Sequence, residues 1–335
     1  MKTTQVTSDG AAEWDRMLEQ YHGSLLQSWR WGELQSRFGW HVERFCFDDG
    51  AAGLCSLQLA ASLLPGGAIA YVPRGPVIVP ASRAEGLEVL TQRARSRRAL
   101  VLRLEPEVPP DDDWSTRLAA AAGWSPGTPV QPQVTSLLDL RPEVEALRAS
   151  FKPKTRYNLG LSERKGVTIV QSQDVAAFAR LSAATAHRQR IHLPGPDYYR
   201  TLLELFGPQR ARLYLASHDG TLLAGILVAR FGRIAYYLFG GSADDGKELM
   251  PNYLLHWRAM LEFKALGCEV YDWWGIPDEP APDHPWFGLY RFKTGFGGST
   301  VRYLGLYQRA LQPRAWALEK RLRKLKTRLT GSILG

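Results

Sequence analysis

ERFCFDDGAAGLCSLQLAASLLPGGAIAYVPRGPV (residues 43–77) and ARLYLASHDGTLLAGILVARFGRIAYYLFGGS (211–242) share one plan. Each reads as a strand, an Asp-Gly turn (Asp49-Gly50; Asp219-Gly220), a second strand, a short glycine-containing turn (Pro65-Gly66-Gly67; Gly232) and a third strand ending in tyrosine and glycine. The Asp-Gly turns lie 170 residues apart. A helix-like segment follows each copy, at 82–97 and 249–266, and then a short apolar strand ending in acidic or aromatic residues, 100–105 and 268–273. Five elements in the same order twice point to a duplicated unit of antiparallel meander, helix and strand. The expected fold class is α/β (α+β), with mixed sheets flanked by helices. The expected domains are 1–144 plus 305–335, and 145–304.

At 335 residues, with 45% hydrophobic and 11% aromatic content, the chain has enough apolar material for two ordinary domains, which excludes disorder, collagen and small disulfide scaffolds. The balance of 42 Lys+Arg against 33 Asp+Glu gives +9, suiting a partner with negative charge. Residues 311–335 carry +6 of it, from Arg314, Lys320, Arg321, Arg323, Lys324, Lys326 and Arg328 against Glu319. Cys46, Cys55 and Cys268 are widely spaced in apolar surroundings and read as small core residues. No apolar signal segment opens the sequence and no run of 18 apolar residues interrupts it, which reads as a cytoplasmic, reducing setting.

Two basic segments stand out. In RPEVEALRASFKPKTRYNLGLSERKG (141–166), Pro142 suits a helix start, Leu147 and Phe151 share a helical face, and Pro153 breaks or restarts the helix. The bases that follow, Lys152, Lys154, Arg156, Arg164 and Lys165, form either a solvated face or a phosphate-contacting helix. In the tail, Leu318, Leu322, Leu325 and Leu329 fall at i, i+4, i+7 and i+11. They predict an amphipathic helix whose leucine stripe packs on the body, leaving a basic face to solvent, RNA or an anionic membrane.

Several chemistries lose support. There is no GxxxxGK[ST] and no GxSxG, and GFGGST (295–300) precedes a strand instead of opening a helix. The seven histidines form no HExxH and have no cysteine partners at zinc spacing, so no metal is expected. A duplicated meander–helix–strand unit is instead the plan of an N-acyltransferase, which makes the chain two tandem acetyltransferase-like (GNAT) domains. Acyl-CoA users grip the pyrophosphate with [QR]-x-x-G-x-[GA] entering the main helix. The corresponding loops here, PRGPVIVPASRAEG and GGSADDGKELMPN, lack that pattern, which favours a different acyl donor.

QSWRWGELQSRFGW (27–40), YVPRGP (71–76), FKPKTRYNLGLSERKGV (151–167), AYYLFGGS (235–242), YDWWGIP (271–277) and LYRFKTGFGG (289–298) resemble, in order, the motifs of the Fem family, also called FemABX. Its members are peptidoglycan bridge-forming aminoacyltransferases. The resemblance covers about 20 to 310, and the length matches the short, FemX-like type without a coiled-coil arm. It implies an aminoacyl-tRNA donor and, as acceptor, the stem-peptide amine of a UDP-linked or lipid-linked precursor, with no cofactor.

The resemblance also implies residue roles. Phe292 and Lys293 match the family's Phe-Lys pair, in which the lysine steadies negative charge at the reacting ester. One well-placed donor to an oxyanion contributes about 3–4 kcal/mol. A lysine-like acceptor must lose a proton at a cost of about 4.6 kcal/mol at pH 7, and Asp272 in YDWWG is the candidate to receive it, or else a cap on the following turn. Tyr71, Arg74, Tyr236 and Tyr237 match a rim that binds the nucleotide-sugar and phosphate part of the precursor; Tyr198 and Tyr199 match a Tyr-Tyr segment. Departures are Gln35, where relatives often carry lysine, and Pro194 or Gly195, where an arginine is common; Arg37, Arg188 and Arg190 are the nearby substitutes.

The expected protein is therefore a monomeric, aminoacyl-tRNA-dependent transferase, cytoplasmic or peripheral at the inner membrane face. The alternatives are an acyl-CoA-dependent acetyltransferase of the same fold and a non-catalytic tRNA-binding protein.

Overall fold

The computed structural model describes residues 1–330, with side chains up to residue 326. The chain divides into two compact units, Met1–Gln133 with the segment from Arg302 onward, and Val134–Val301.

The first unit opens with β1 (Thr3–Gln5), α1 (Ala11–Gln20) and α2 (Trp29–Arg37). Its meander is β2 (His41–Phe47), β3 (Gly53–Ala61) and β4 (Ala68–Val72). Next come β5 (Val77–Ile78), α3 (Arg83–Ser96), β6 (Ala99–Leu104), α4 (Asp113–Ala120) and β7 (Trp124–Pro126). The turn into β3 has Asp48, Asp49 and Gly50 all at positive φ, the backbone that the Asp-Asp-Gly sequence tolerates. Gln27, first residue of the Gln-Ser-Trp motif, is fully buried; its amide donates to the Pro73 carbonyl at 2.7 Å and accepts from the Ser56 N–H at 2.8 Å, tying the 73–76 loop to β3.

The second unit runs β8 (Val134–Asp139), α5 (Val144–Ser150), α6 (Pro153–Arg164), β9 (Thr168–Ser172), α7 (Val175–Gln189), α8 (Pro196–Phe206), β10 (Ala211–His218), β11 (Thr221–Phe231), β12 (Ile234–Ser242), α9 (Pro251–Ala265), β13 (Val270–Gly275) and α10 (Phe287–Lys293). Pro153, Pro196 and Pro251 each open a helix, where the missing N–H costs no bond. Leu147 and Phe151 are buried together as their spacing predicts, with Leu159 of α6 in the same core. The chain then adds β14 (Ser299–Arg302) to this sheet, and returns with β15 (Tyr307–Ala310) and α11 (Pro313–Thr330) to the first unit.

The sheet orders are β1-β2-β3-β4-β6-β15-β7, with β5 on β3, and β14-β8-β13-β12-β11-β10-β9. β4 runs parallel to β6 and β12 to β13, each pair separated by one helix. Both units thus carry the meander–helix–strand plan, and the fold is a tandem of acetyltransferase-like units. Among the described residues no helix exceeds the 18 of α11, and no coiled-coil arm is present.

The observed division falls earlier than the 144/145 and 304/305 boundaries read from the sequence. β8 is the reason: it pairs with β13 of the second sheet, Tyr271 opposite Leu138. The leucine stripe needs a correction too. Leu318 and Leu325 are 47% and 56% exposed, and the residue that seats α11 is Glu319, fully buried. Its carboxylate accepts the Leu63 N–H at 3.0 Å and the Arg323 Nε–H at 2.8 Å, which leaves Leu318 and Leu325 toward water and Leu322 half-buried. The side chains of Leu329 and Arg328, and residues 331–335, lie outside what the structure describes.

Candidate functional site

In the second unit, the parallel pair β12–β13 is joined only from Ile234↔Val270 to Tyr236↔Asp272, and beyond that the strands part. β13 bulges between Asp272 and Gly275, with Trp274 at φ 58°. Asp272 holds this bulge. It is 4% exposed, and its Oδ1 accepts the Trp274 N–H at 2.8 Å and the hydroxyl of Thr135 on β8, which also lies 2.5 Å from the Trp274 carbonyl. Trp273 lies inside the bulge and Gly275 where pairing resumes opposite Thr135, and each presents a carbonyl.

Both carbonyls are taken by Lys293, the last residue of α10, whose Nζ donates to each at 2.8 Å. Its side chain is 5% exposed, and the ammonium sits 5.0 Å from the centroid of the Tyr237 ring. Burial pushes its pKa down to about 7, partly opposed by the Asp272 carboxylate. Its proton is therefore held far less tightly than that of a solvated lysine. Two of its three N–H donors are committed to the carbonyls.

Aromatic side chains wall this lysine. Phe292 lies edge-on to Tyr253 at 5.0 Å and close to Trp273 and Phe296. His256, on α9, is buried with its ring 4.5 Å from both Tyr237 and Trp273, and its Nδ1 is 2.8 Å from the Tyr271 hydroxyl. Burial, reinforced by the nearby lysine, holds its pKa far below the ordinary value, so it is a neutral packing partner. Sequence reading missed His256 because a histidine in LLHWRAM carries no spacing signal; only the fold brings it beside Lys293. Burial alone raises the Tyr237 phenol to about 12.

Two clefts meet at Phe292 and Tyr253. One is lined by Leu223, Ser242, Lys247, Met250 and Asn252 at the start of α9. The other is lined by Lys152, Lys154, Thr155, Tyr290 and Arg291, where the first turn of α6 faces α10.

The structure brings Lys293, Phe292, Asp272 and Tyr237 into one constellation, with Lys154 in the basic cleft beside it. The other expected residues have local duties. Arg156 is exposed but donates to the Ala149 carbonyl at 3.0 Å and to that of Phe151, closing the end of α5. Tyr199 is fully buried against Ser182 Oγ at 2.8 Å, and Tyr198 packs edge-on to Phe239. Tyr236 is a core residue, 1% exposed. In the first unit, Tyr71 is 5% exposed, its hydroxyl on the Glu105 carboxylate and accepting from Gln131 Nε2 at 3.2 Å. Arg74 is equally buried; it donates to the Pro132 carbonyl at 2.6 Å and stacks 4.3 Å from the Tyr303 ring. Among the described residues, no group of three His, Cys, Asp or Glu is arranged to hold a metal ion.

The sequence model of the FemAB family matches residues 122–221 and 217–324, which include all of α6, β12, β13 and α10. The chain belongs to the FemAB family. Within that setting, it is 24% identical to the UDP-N-acetylmuramoylpentapeptide-lysine N(6)-alanyltransferase of Weissella viridescens, over 90% of this chain and 93% of the relative. It is 21% identical to the lipid II:glycine glycyltransferase of Staphylococcus saprophyticus, over 92% of each. The crystal structure of FemX superposes with a TM-score of 0.83 at 20% identity, covering 95% of this chain and 99% of that one. The FemAB chain described here therefore shares its fold along nearly its whole length with FemX.

Proposed function

We propose that this protein transfers an aminoacyl group from aminoacyl-tRNA to the stem-peptide amine of a peptidoglycan precursor, building the interpeptide bridge. The observation that carries this reading is the buried Lys293 ammonium, set on two carbonyls at the parting of β12 and β13, where two clefts meet. The two named relatives are transferases acting on a UDP-linked muramoylpentapeptide and on lipid II, which supports a muropeptide acceptor of one kind or the other.

In the proposed reaction a neutral acceptor amine attacks the aminoacyl ester carbonyl. The C–N bond forms, the ester C–O bond breaks, and the ribose hydroxyl leaves with the proton given up by the amine. Lys293, as ammonium, steadies the charge that develops on the carbonyl oxygen, an effect of about 3–4 kcal/mol for one donor in a dry site. Ester to amide is downhill, so the step needs no nucleotide hydrolysis. Lys152, Lys154 and Arg291 suit the phosphates next to the tRNA 3′ end, and Phe292 and Tyr253 suit stacking of its terminal base. Asp272 is a positioning residue in this reading: it shapes the bulge that carries Lys293.

Incubation with bulk labelled aminoacyl-tRNA and each precursor class, followed by mass spectrometry, tests the reading. The expected product is a precursor heavier by one amino-acid residue. Transfer from acetyl-CoA with no aminoacyl product overturns it.

A further inference from the structure

α11 has an uneven distribution of charge. Glu319 is its single acidic residue, and it is the one the fold buries, held by the Leu63 N–H and Arg323. No negative charge is left on the outward side of the helix. At 100° per residue, Arg314, Leu318, Arg321 and Leu325 share one face, flanked by Lys324, and all five are exposed. Leu318 and Leu325 are among the large apolar side chains most open to water, at 47% and 56%.

We infer that this face of α11 lies on an anionic lipid surface. Bases and exposed leucines on one face of a helix are the composition of an interfacial helix, in which the leucines enter the headgroup boundary while the bases meet lipid phosphates. A nucleic-acid backbone would use the bases but leave both leucines in water. The leucines therefore decide for lipid. Among the described residues no helix is long and apolar enough to cross a bilayer, so the contact is one of a helix resting in the surface plane. The inference stands apart from the transfer reaction and does not depend on it.

The full-length protein should co-sediment with phosphatidylglycerol/phosphatidylcholine vesicles, less so as salt rises, and not with phosphatidylcholine alone. A base close to an anionic surface contributes about fivefold in partitioning. Arg314→Gln/Arg321→Gln/Lys324→Gln should therefore bind at least tenfold more weakly. Leu318→Ser/Leu325→Ser should lose at least tenfold too, with unchanged circular dichroism and unchanged binding to deacylated tRNA. Absence of vesicle binding overturns the inference. So does a leucine variant that binds vesicles like the parent, or a base variant that loses tRNA while keeping vesicles, which would make the face a nucleic-acid surface.

Discussion

Lys293 donates to the carbonyl of Trp273 at 2.8 Å, and that carbonyl is available because Asp272, the preceding residue, folds the strand into a bulge around its own carboxylate. The cation and its platform are thus specified by neighbouring residues of β13 and the end of α10.

Lys293→Met removes the charge and keeps the length of the side chain. Transfer should fall by about 10²–10³, mainly in kcat. The Trp273 and Gly275 carbonyls lose their donor, at about 1–3 kcal/mol, partly offset because an ammonium no longer has to be buried. Circular dichroism and denaturant unfolding check that the fold survives.

The pH profile follows from the position of Lys293 near 7. Raising the pH produces more neutral acceptor amine but removes the Lys293 charge above about 7. For a lysine-like acceptor these effects cancel, so kcat/KM should climb to about pH 7 and then level off. In Lys293→Arg, which stays charged, the residual rate should keep rising toward the pKa of the amine. Stability has its own window. Between about 7 and 10.5 the unfolded chain holds a proton that the folded chain has shed, so stability rises with pH there, and Lys293→Met should flatten the rise.

Asp272→Asn keeps an acceptor for the Trp274 N–H but loses the charge that favours the Lys293 ammonium. Its bend in the pH profile should move below 7, with only modest loss of stability. Asp272→Ala should instead cost about 1–3 kcal/mol by removing the acceptor of that half-buried N–H and of the buried Thr135 hydroxyl. A bend that stays in place in Asp272→Asn would assign the carboxylate no electrostatic part.

Lys154 and Arg156 lie two residues apart and should behave differently. Lys154→Ala should weaken aminoacyl-tRNA binding and reduce its salt dependence by about 0.7 in the log–log slope, the amount for one single-strand phosphate contact. Arg156→Ala should lower stability by about 1–2 kcal/mol through lost contacts to the Ala149 and Phe151 carbonyls, leaving the slope unchanged.

Glu319→Ala should loosen α11. Losing the bond to the Leu63 N–H and the pair with Arg323 should speed amide exchange in the helix by about tenfold or more, with little effect on exchange in α9. Proteolysis near residues 312–320 gives a second readout.

The duplicated plan was legible because its signals are local. Asp219 and Gly220 adopt the positive φ that an Asp-Gly hairpin requires, and the alternation of β10 and β11 follows from it. The unit boundary was not legible, since VTSLLD reads as a strand whichever sheet it joins and only its pairing with β13 decides. At the proposed site, the Phe-Lys pair is legible only as a motif, since neither residue type at that spacing signals a buried cation. The duties of Tyr71, Tyr199 and Tyr236 were not legible, because a tyrosine near a strand end or on an amphipathic helix reads the same whether it faces a ligand or the core. The tail reads as a helix, but its periodicity does not show how it seats: one buried carboxylate on one backbone N–H leaves Leu318 and Leu325 of the stripe in water.

The return of β15 to the first sheet has a consequence for synthesis. β15 lies between β6 and β7 and, among the described residues, is the strand that joins β7 to the sheet. It leaves the ribosome only after the roughly 170 residues of the second unit, about 10–30 s later at ordinary elongation rates. During that interval the edge of β6 is open and β7 has no strand to join, while the later-made unit already has nearly all of its own strands. The first half to be translated is the last to close.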